Sequence, residues 1–241
     1  MLQGKEIWSC VFARAGSKGV PKKNLRKING ISLIERAVLK AKSAPAIDKV
    51  FVSTDCDDII NMAKSAGAEV LFKRPRNLAS DTSPEILSWK HLIGCWHERY
   101  QTLPDLFVSV PTVCPLVDPN DLEQTIRCHL NSSSDITITA TQDHSKSAFL
   151  SGIENDQGFS FLSENKFFQR QEGPDIFKLV AGCYVTTPGY IESVDSIKEG
   201  KIGISEISQE KAVDIDTEFD FLVAKLLLEN SESWLWEHLN V

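Results

Sequence analysis

The sequence predicts a three-layer α/β fold built on a mostly parallel sheet. Two observations lead there. Short β-rich apolar runs alternate with longer segments whose apolar residues recur every three or four positions, and this alternation continues to residue 140. Glycines and cations also crowd the turn after the first apolar run, as they do where a sheet presents a loop to an anionic ligand.

The elements follow in order. "IWSCVFA", "KVFVST", "EVLFK", "LFVSV" and "DITITA" read as strands. Between them "SLIERAVLKAK", "DDIINMAKSAG", "PEILSWKHLIGCWHERY" and "DPNDLEQTIRCHL" read as helices with one apolar face. In such a sheet the ligand sits beyond the carboxyl ends of the strands, so the loops after Phe12, Thr54, Lys73 and Val110 are expected to gather around it. From Thr141 to Gln171 the chain turns polar and irregular, with Gly152, Asn155 and Gly158 marking turns; this stretch is expected to be an inserted β-hairpin arm. Regular structure resumes with "LVAGCYVTT" and ends in the helix "TEFDFLVAKLLLEN". One domain spanning residues 1–241 is expected, since 42% hydrophobic content can fill a sizeable core.

Composition excludes some functions. A net charge of -7 argues against a general nucleic-acid binder, which needs a broad basic surface. The six cysteines form no CxxC pair and several sit in apolar runs, the pattern of free thiols in a reducing cytoplasm. No apolar run approaches the roughly 20 residues a membrane span needs, and no signal peptide is readable. A soluble cytoplasmic protein is expected.

Three stretches carry chemistry. In "RAGSKGVPKKN", Gly16 and Gly19 allow close backbone approach to a ligand, and Arg14, Lys18, Lys22 and Lys23 supply charge, with Arg26 just beyond. The spacing matches neither a P-loop nor a dinucleotide fingerprint. "KRPRNLASDTSPE" adds Lys73, Arg74 and Arg76 directly after an expected strand. "VDIDTEFD" holds Asp214 and Asp216 two residues apart; in an extended segment both carboxylates face one side and suit a hard divalent ion. The same pattern also fits a helix start with Asp216 as cap. Histidines 91, 97 and 144 lack metal-site spacing, and Trp89 and Trp96 fit one buried helix stripe.

At this point the motifs become recognisable. "ARAGSKGVPKKN" resembles the first signature of the acylneuraminate cytidylyltransferases, or CMP-sialic acid synthetases, and "RPRNLASDTSPE", "PTVCPL", "RQEGPDIFKLVAGCYV" and "DIDTEFDF" are similar to its later blocks in the same order. The resemblance covers nearly the whole chain. Related enzymes acting on 3-deoxy-octulosonic acid usually continue their first loop as "RLPGKPL"; here it runs "GVPKKN".

The resemblance implies a Rossmann-like nucleotidyltransferase that moves CMP from CTP to the anomeric hydroxyl of a nine-carbon 2-keto-3-deoxy sugar acid. By the same resemblance, Arg14, Ser17, Lys18, Lys23, Asn24 and Arg74 would hold CTP, with Arg14, Lys23 and Asp216 closest to the chemistry. Asp214 and Asp216 would hold Mg²⁺. Arg170, Gln171 and Tyr184 would meet the sugar acid, and a homodimer would form through the arm. Val110, Val117 and Val180-Ala181 depart from the family pattern and are expected to leave the sugar pocket less polar. Legionaminic, pseudaminic or 3-deoxy-octulosonic acid as acceptor stays open, as does a non-catalytic nucleotide-binding protein on the same fold.

Overall fold

Strand β1, Ile7–Phe12, sets the two sides of the sheet by simple alternation: Ile7 and Val11 are buried in one apolar cluster, Trp8 and Cys10 in another. The computed structural model describes residues 2–145, 149–156, 158–161 and 174–230. On the Ile7 side the core is closed by helices α1 (Leu33–Lys42), α2 (Asp57–Ser65) and α4 (Pro119–Leu130), through Ile34, Val38, Ile59, Leu122 and Ile126. On the Trp8 side lie α3 (Glu85–Tyr100) and α5 (Pro188–Ser193), whose Trp89, Trp96 and Ile191 meet Trp8, Phe51 and Phe107. The three layers are therefore helix, sheet, helix, and Trp89 and Trp96 form the buried stripe their spacing predicts.

The sheet runs β10 (Ile202–Glu206), β6 (Ile136–Gln142), β9 (Phe177–Thr186), β5 (Leu106–Ser109), β1, β4 (Lys49–Ser53). β1 is parallel to both β4 and β5, and β10 is parallel to β6. Only β9 runs against its neighbours, slotted between β5 and β6. The carboxyl ends of β1, β4 and β5 thus share one edge, where the loops of the site emerge.

Local chemistry explains the starts. Ser32 and Glu35 form a capping box at α1, and Asp118 with Asp121 does the same at α4 behind Pro119. A two-residue ladder between β2 (Lys27–Ile28) and β3 (Ile31–Ser32) closes the loop before α1.

Several expectations need correction. "EVLFK" is not a strand: Glu69 makes a single bridge to Phe51, after which Leu71 and Phe72 pack against the aromatic cluster. β10 and α5 carry no clear sequence signal and were not expected. The arm region does contain a hairpin, β7 (Gly152–Asn155) against β8 (Gly158–Phe161). Arg170 and Gln171, assigned to the sugar acid, lie outside the described residues, as do Trp234 and Trp236. Among the described residues no helix is long and apolar enough to cross a membrane.

Candidate active site

The loop after β1 is braced from within, so its cations project from a fixed frame. Ala13 N–H bonds the Ser53 carbonyl at 3.1 Å, and Ala15 N–H bonds Asp55 Oδ1 at 3.0 Å, tying the loop to the end of β4. Ser17 Oγ donates to the Val20 carbonyl at 2.6 Å and accepts from Lys23 N–H at 2.9 Å. Asn24, buried, donates from Nδ2 to the Arg14 carbonyl at 2.9 Å and accepts from Thr112 Oγ1 at 2.7 Å. Ser17 and Asn24 therefore spend these groups on shaping the loop.

Between this loop and the segment after Lys73 lies a cleft of about 540 Å³, within the usual span of small-molecule sites; the loop after Thr54, expected to join it, does not line it. Arg14, Ser17, Lys18, Lys23, Asn24, Arg74 and Asp216 all line it, so the structure brings together every residue assigned to CTP. Their contacts sort into three clusters. In the first, Arg14 Nη1 and Lys18 Nζ clamp the two oxygens of Asp81 at 2.5 and 2.6 Å. The Lys18 bond leads the causes that hold the Asp81 carboxyl below its usual range. The chain's own carboxylate occupies the bonding positions that an anionic ligand would take.

The second cluster joins the first loop to the acidic segment. Lys23 Nζ donates to the Ile215 carbonyl and stands 3.6 Å from Asp216 Oδ1. Ile215 is fully buried with Val20, Ile28, Leu33 and Phe221, while the aspartates on either side of it are more exposed. Asp216 is exposed and lines the cleft. Asp214 is half-buried and does not line it; desolvation first, and then the Asp216 charge, raises its carboxyl above the usual range, with Lys23 and Lys178 opposing. The helix-cap reading of Asp216 is overturned: Thr217 caps α6 (Glu218–Asn230), its Oγ1 accepting from Asp220 N–H while Asp220 Oδ2 accepts from Thr217 N–H.

The pair fits a hard divalent ion. Asp214 Oδ1 is buried and has no hydrogen-bond partner among the described residues, an orphan acceptor beside a second carboxylate. No group of three or more potential ligand side chains is found among the described residues. An ion here would need substrate oxygens and water to complete its shell, as Mg²⁺ usually does.

The third cluster lies where the segment after Lys73 meets α3. Arg74 is 6% exposed, its N–H bonds the Thr54 carbonyl at 2.7 Å, and its Nη1 lies 3.4 Å from Ser88 Oγ. Glu85, the first residue of α3, opens onto the cleft and accepts from Trp89 Nε1 at 3.2 Å. Neither Asp81 nor Glu85 of "SDTSPE" is assigned to the site on sequence grounds. Their one sequence signal is that both fall in the same stretch as Arg74, seven and eleven residues after it.

Other assignments move. Lys22 adopts a left-handed backbone (φ 53°) and is exposed away from the cleft lining, while Arg26 pairs with Glu218 at 2.6 Å and stacks 3.8 Å over Phe221. Tyr184 does not line the cleft: it sits edge-on to Trp89 at 5.7 Å, its hydroxyl raised by burial and by the charges of Glu85 and Asp214 among others. Val110, Val117 and Val180 are correctly apolar, but they belong to the buried cluster under α1 and α4 and line no part of the cleft. Their side chains answer to core packing.

Comparison with known proteins agrees with the geometry. Residues 10–178 match the model of a family described as "Cytidylyltransferase". Over 225 residues the chain is 28% identical to post-translational flagellin modification protein B of Campylobacter coli, covering 93% of this chain and 95% of that protein. It is 29% identical over 224 residues to a CMP-N,N'-diacetyllegionaminic acid synthase of Campylobacter jejuni, covering 92% and 95%. In fold it is similar to a CMP:2-keto-3-deoxy-manno-octonic acid synthetase solved with CTP, with TM-score 0.71 and 16% identity over 93% of this chain and 98% of that one.

Proposed function

Because the chain belongs to the cytidylyltransferase family, we propose that it transfers CMP from CTP to the anomeric hydroxyl of a nine-carbon 2-keto-3-deoxy sugar acid, sialic acid or a relative such as legionaminic or pseudaminic acid, releasing pyrophosphate. One observation supports this reading above the others. The cation-bearing loop and the acidic segment meet at one cleft, with Lys23 bonded to the Ile215 carbonyl and Asp216 beside it. A site that holds a triphosphate and a divalent ion at once needs that juxtaposition.

In-line displacement at the α-phosphorus builds charge on phosphate oxygens, so the protein's task is positioning and neutralisation. Arg14 and Lys18 exchange Asp81 for the triphosphate, and Lys23, anchored at Ile215, presents its charge toward the α-phosphate. Asp214 and Asp216 would hold Mg²⁺, which when bound would supply charge neutralisation and lower the pKa of the attacking hydroxyl. Arg170, Gln171 and Tyr184 are proposed to serve the acceptor, the Arg fork suiting its carboxylate. The active form is proposed to be a homodimer in the cytoplasm, where free thiols such as Cys10, Cys114 and Cys183 persist.

The test is pyrophosphate release from CTP and Mg²⁺ with a panel of nine-carbon acids and the eight-carbon 3-deoxy-octulosonic acid. Release with at least one nine-carbon acid, and faster than with the eight-carbon one, is expected. Release with none, by protein that binds CTP, would leave a nucleotide-binding protein without this chemistry.

A further inference from the structure

Residues 79–84 border the cleft through Ser80, Asp81 and Ser83, and the chain is anchored on both sides of them. Before them, Arg74 N–H bonds the Thr54 carbonyl and the Leu78 carbonyl accepts from Ser88 Oγ at 3.1 Å; after them α3 begins at Glu85. Between those anchors the hydrogen bonds stay local: Ala79 N–H to the Arg76 carbonyl at 3.0 Å, Ser80 Oγ to the Asn77 carbonyl at 3.4 Å and Ser83 N–H to the Ser80 carbonyl at 3.3 Å. Among the described residues, only the ion pairs of Asp81 with Arg14 and Lys18 fasten this stretch to the opposite loop. Both pairs are open to water, the Lys18 side chain being 81% exposed, and such pairs add little stability and exchange readily. Ser80, Asp81, Thr82 and Pro84 are all exposed, so little packing holds the stretch in place. The fastening is a carboxylate bonded to the same two cations that a phosphate would seek.

We propose that Asp81 is a built-in competitor for Arg14 and Lys18 and that residues 79–84 are a strap latched by it: a polyphosphate displaces the carboxylate and frees the strap, and the returning carboxylate speeds release of pyrophosphate. The inference rests on the nucleotide reading of the cleft given above and adds a regulatory contact to it. Because Asp81 is tethered beside the cations, it competes at a high effective concentration without leaving the molecule. A carboxylate brings a single charge, so a polyphosphate with several charges wins the exchange, while a small anion of low charge gains far less from it. The latch thus sets a threshold that favours polyphosphates. A purely structural role for Asp81 makes the opposite prediction. If the carboxylate only aimed Arg14 and Lys18, its loss would scatter the two cations and weaken anion binding; the loss of a competitor strengthens it.

The experiment is calorimetric titration of inorganic pyrophosphate, and separately of CTP, into the full chain without acceptor, for the wild type, Asp81→Asn and Asp81→Ala. Thermal melting establishes that each variant is folded, and the alanine variant repeats the comparison if the asparagine one is not. Asp81→Asn is expected to bind pyrophosphate about three- to tenfold more tightly than the wild type. Hydrogen exchange at residues 79–84 should quicken when pyrophosphate is added to the wild type, and should already be fast in unliganded Asp81→Asn. Unchanged or weaker pyrophosphate binding in a folded variant overturns the proposal. So does exchange at residues 79–84 that stays the same in a wild type shown to bind pyrophosphate. If neither the wild type nor the variants bind pyrophosphate or CTP, the nucleotide reading of the cleft falls and the latch falls with it.

Discussion

A methyl group placed on Gly19 would stand 1.9 Å from the carbonyl oxygen of Asp216. No real side chain fits that gap, so the cationic loop and the acidic segment touch only because residue 19 has no Cβ. The contact is backbone to backbone and cannot be relieved by a rotamer change. Gly19→Ala should push the two segments apart, costing about 1–3 kcal/mol as overpacking does and lowering turnover a hundredfold or more. Gly16 is the contrast, since a Cβ there meets nothing within 4 Å. Gly16→Ala should leave the unfolding midpoint in urea where it is, and equal losses of stability in the two variants would contradict the argument.

Asp214 should trade stability for function. Its carboxyl is raised by burial and by Asp216, so the group binds protons more tightly folded than unfolded. The sign follows: its stabilising contribution is complete below the unfolded carboxylate value and is lost as pH rises through the raised one. At neutral pH, without metal, Asp214→Asn should therefore be at least as stable as the wild type, and its advantage should shrink on acidification. Turnover should nevertheless collapse, because the orphan Oδ1 is proposed as a ligand. Urea melts at two pH values with chelator present, alongside the pyrophosphate assay, check both halves.

How far the sequence could be read depends on which residues carry each element. β1, β4, β5 and β6, and helices α1 to α4, were legible because their buried faces are built from apolar residues at the right period. β10 was not, since it turns Ser205 inward and leaves Ile202 and Ile204 exposed at the sheet edge, reversing the expected pattern. "EVLFK" misled for the opposite reason: Leu71 and Phe72 are apolar because they cover Trp-rich core from a loop. In the site, cations and the acidic pair were readable one by one. Asp81 and Glu85 were not, because their role depends on neighbours that only folding supplies.

Lys40 offers a pH signature. It is fully buried on α1 with Nζ donating to the Cys114 carbonyl at 3.2 Å, in the loop whose Val113 carbonyl accepts from Ile215 N–H at 3.0 Å. Helix α1 thereby braces the loop that holds the acidic segment. Desolvation pushes the Lys40 ammonium down to about 8. Between that value and the unfolded one near ~10.4 the unfolded chain binds more protons, so stability from this group rises with pH. Relative to Lys40→Met, the wild type should gain up to about 2 kcal/mol between pH 8 and pH 10. At pH 7 the apolar variant should lose little stability, yet its turnover should fall. Parallel stability curves for the two proteins from pH 8 to 10 would show that Lys40 is not the titrating group.

The hairpin β7–β8 leads to the last prediction. Leu150, Ile153, Phe159 and Phe161 are 57%, 56%, 58% and 60% exposed, and the two phenylalanines meet edge-on at 5.2 Å on one face of the ladder. Gly152 makes room for them, since a Cβ there would lie 2.5 Å from the Phe159 ring. A lone two-stranded hairpin is marginal in water, and an exposed apolar cluster on it calls for a partner surface. A second copy of the chain is the expected partner, so sedimentation equilibrium at micromolar concentration should return the mass of a dimer. Phe159→Ser with Phe161→Ser should shift that mass toward the monomer and abolish turnover, while calorimetric CTP affinity stays within a few-fold because the cleft of Arg14 and Lys23 lies outside the hairpin. If Arg170 serves the neighbouring subunit, mixing inactive Arg170→Ala with inactive Arg14→Ala protein should recover activity once mass spectrometry has shown subunit exchange. Each mixed dimer then contains one site free of both lesions. Exchange without recovery would mean that Arg170 acts in its own subunit or not at all, and a wild type that sediments as a monomer would remove the dimer and the shared site together.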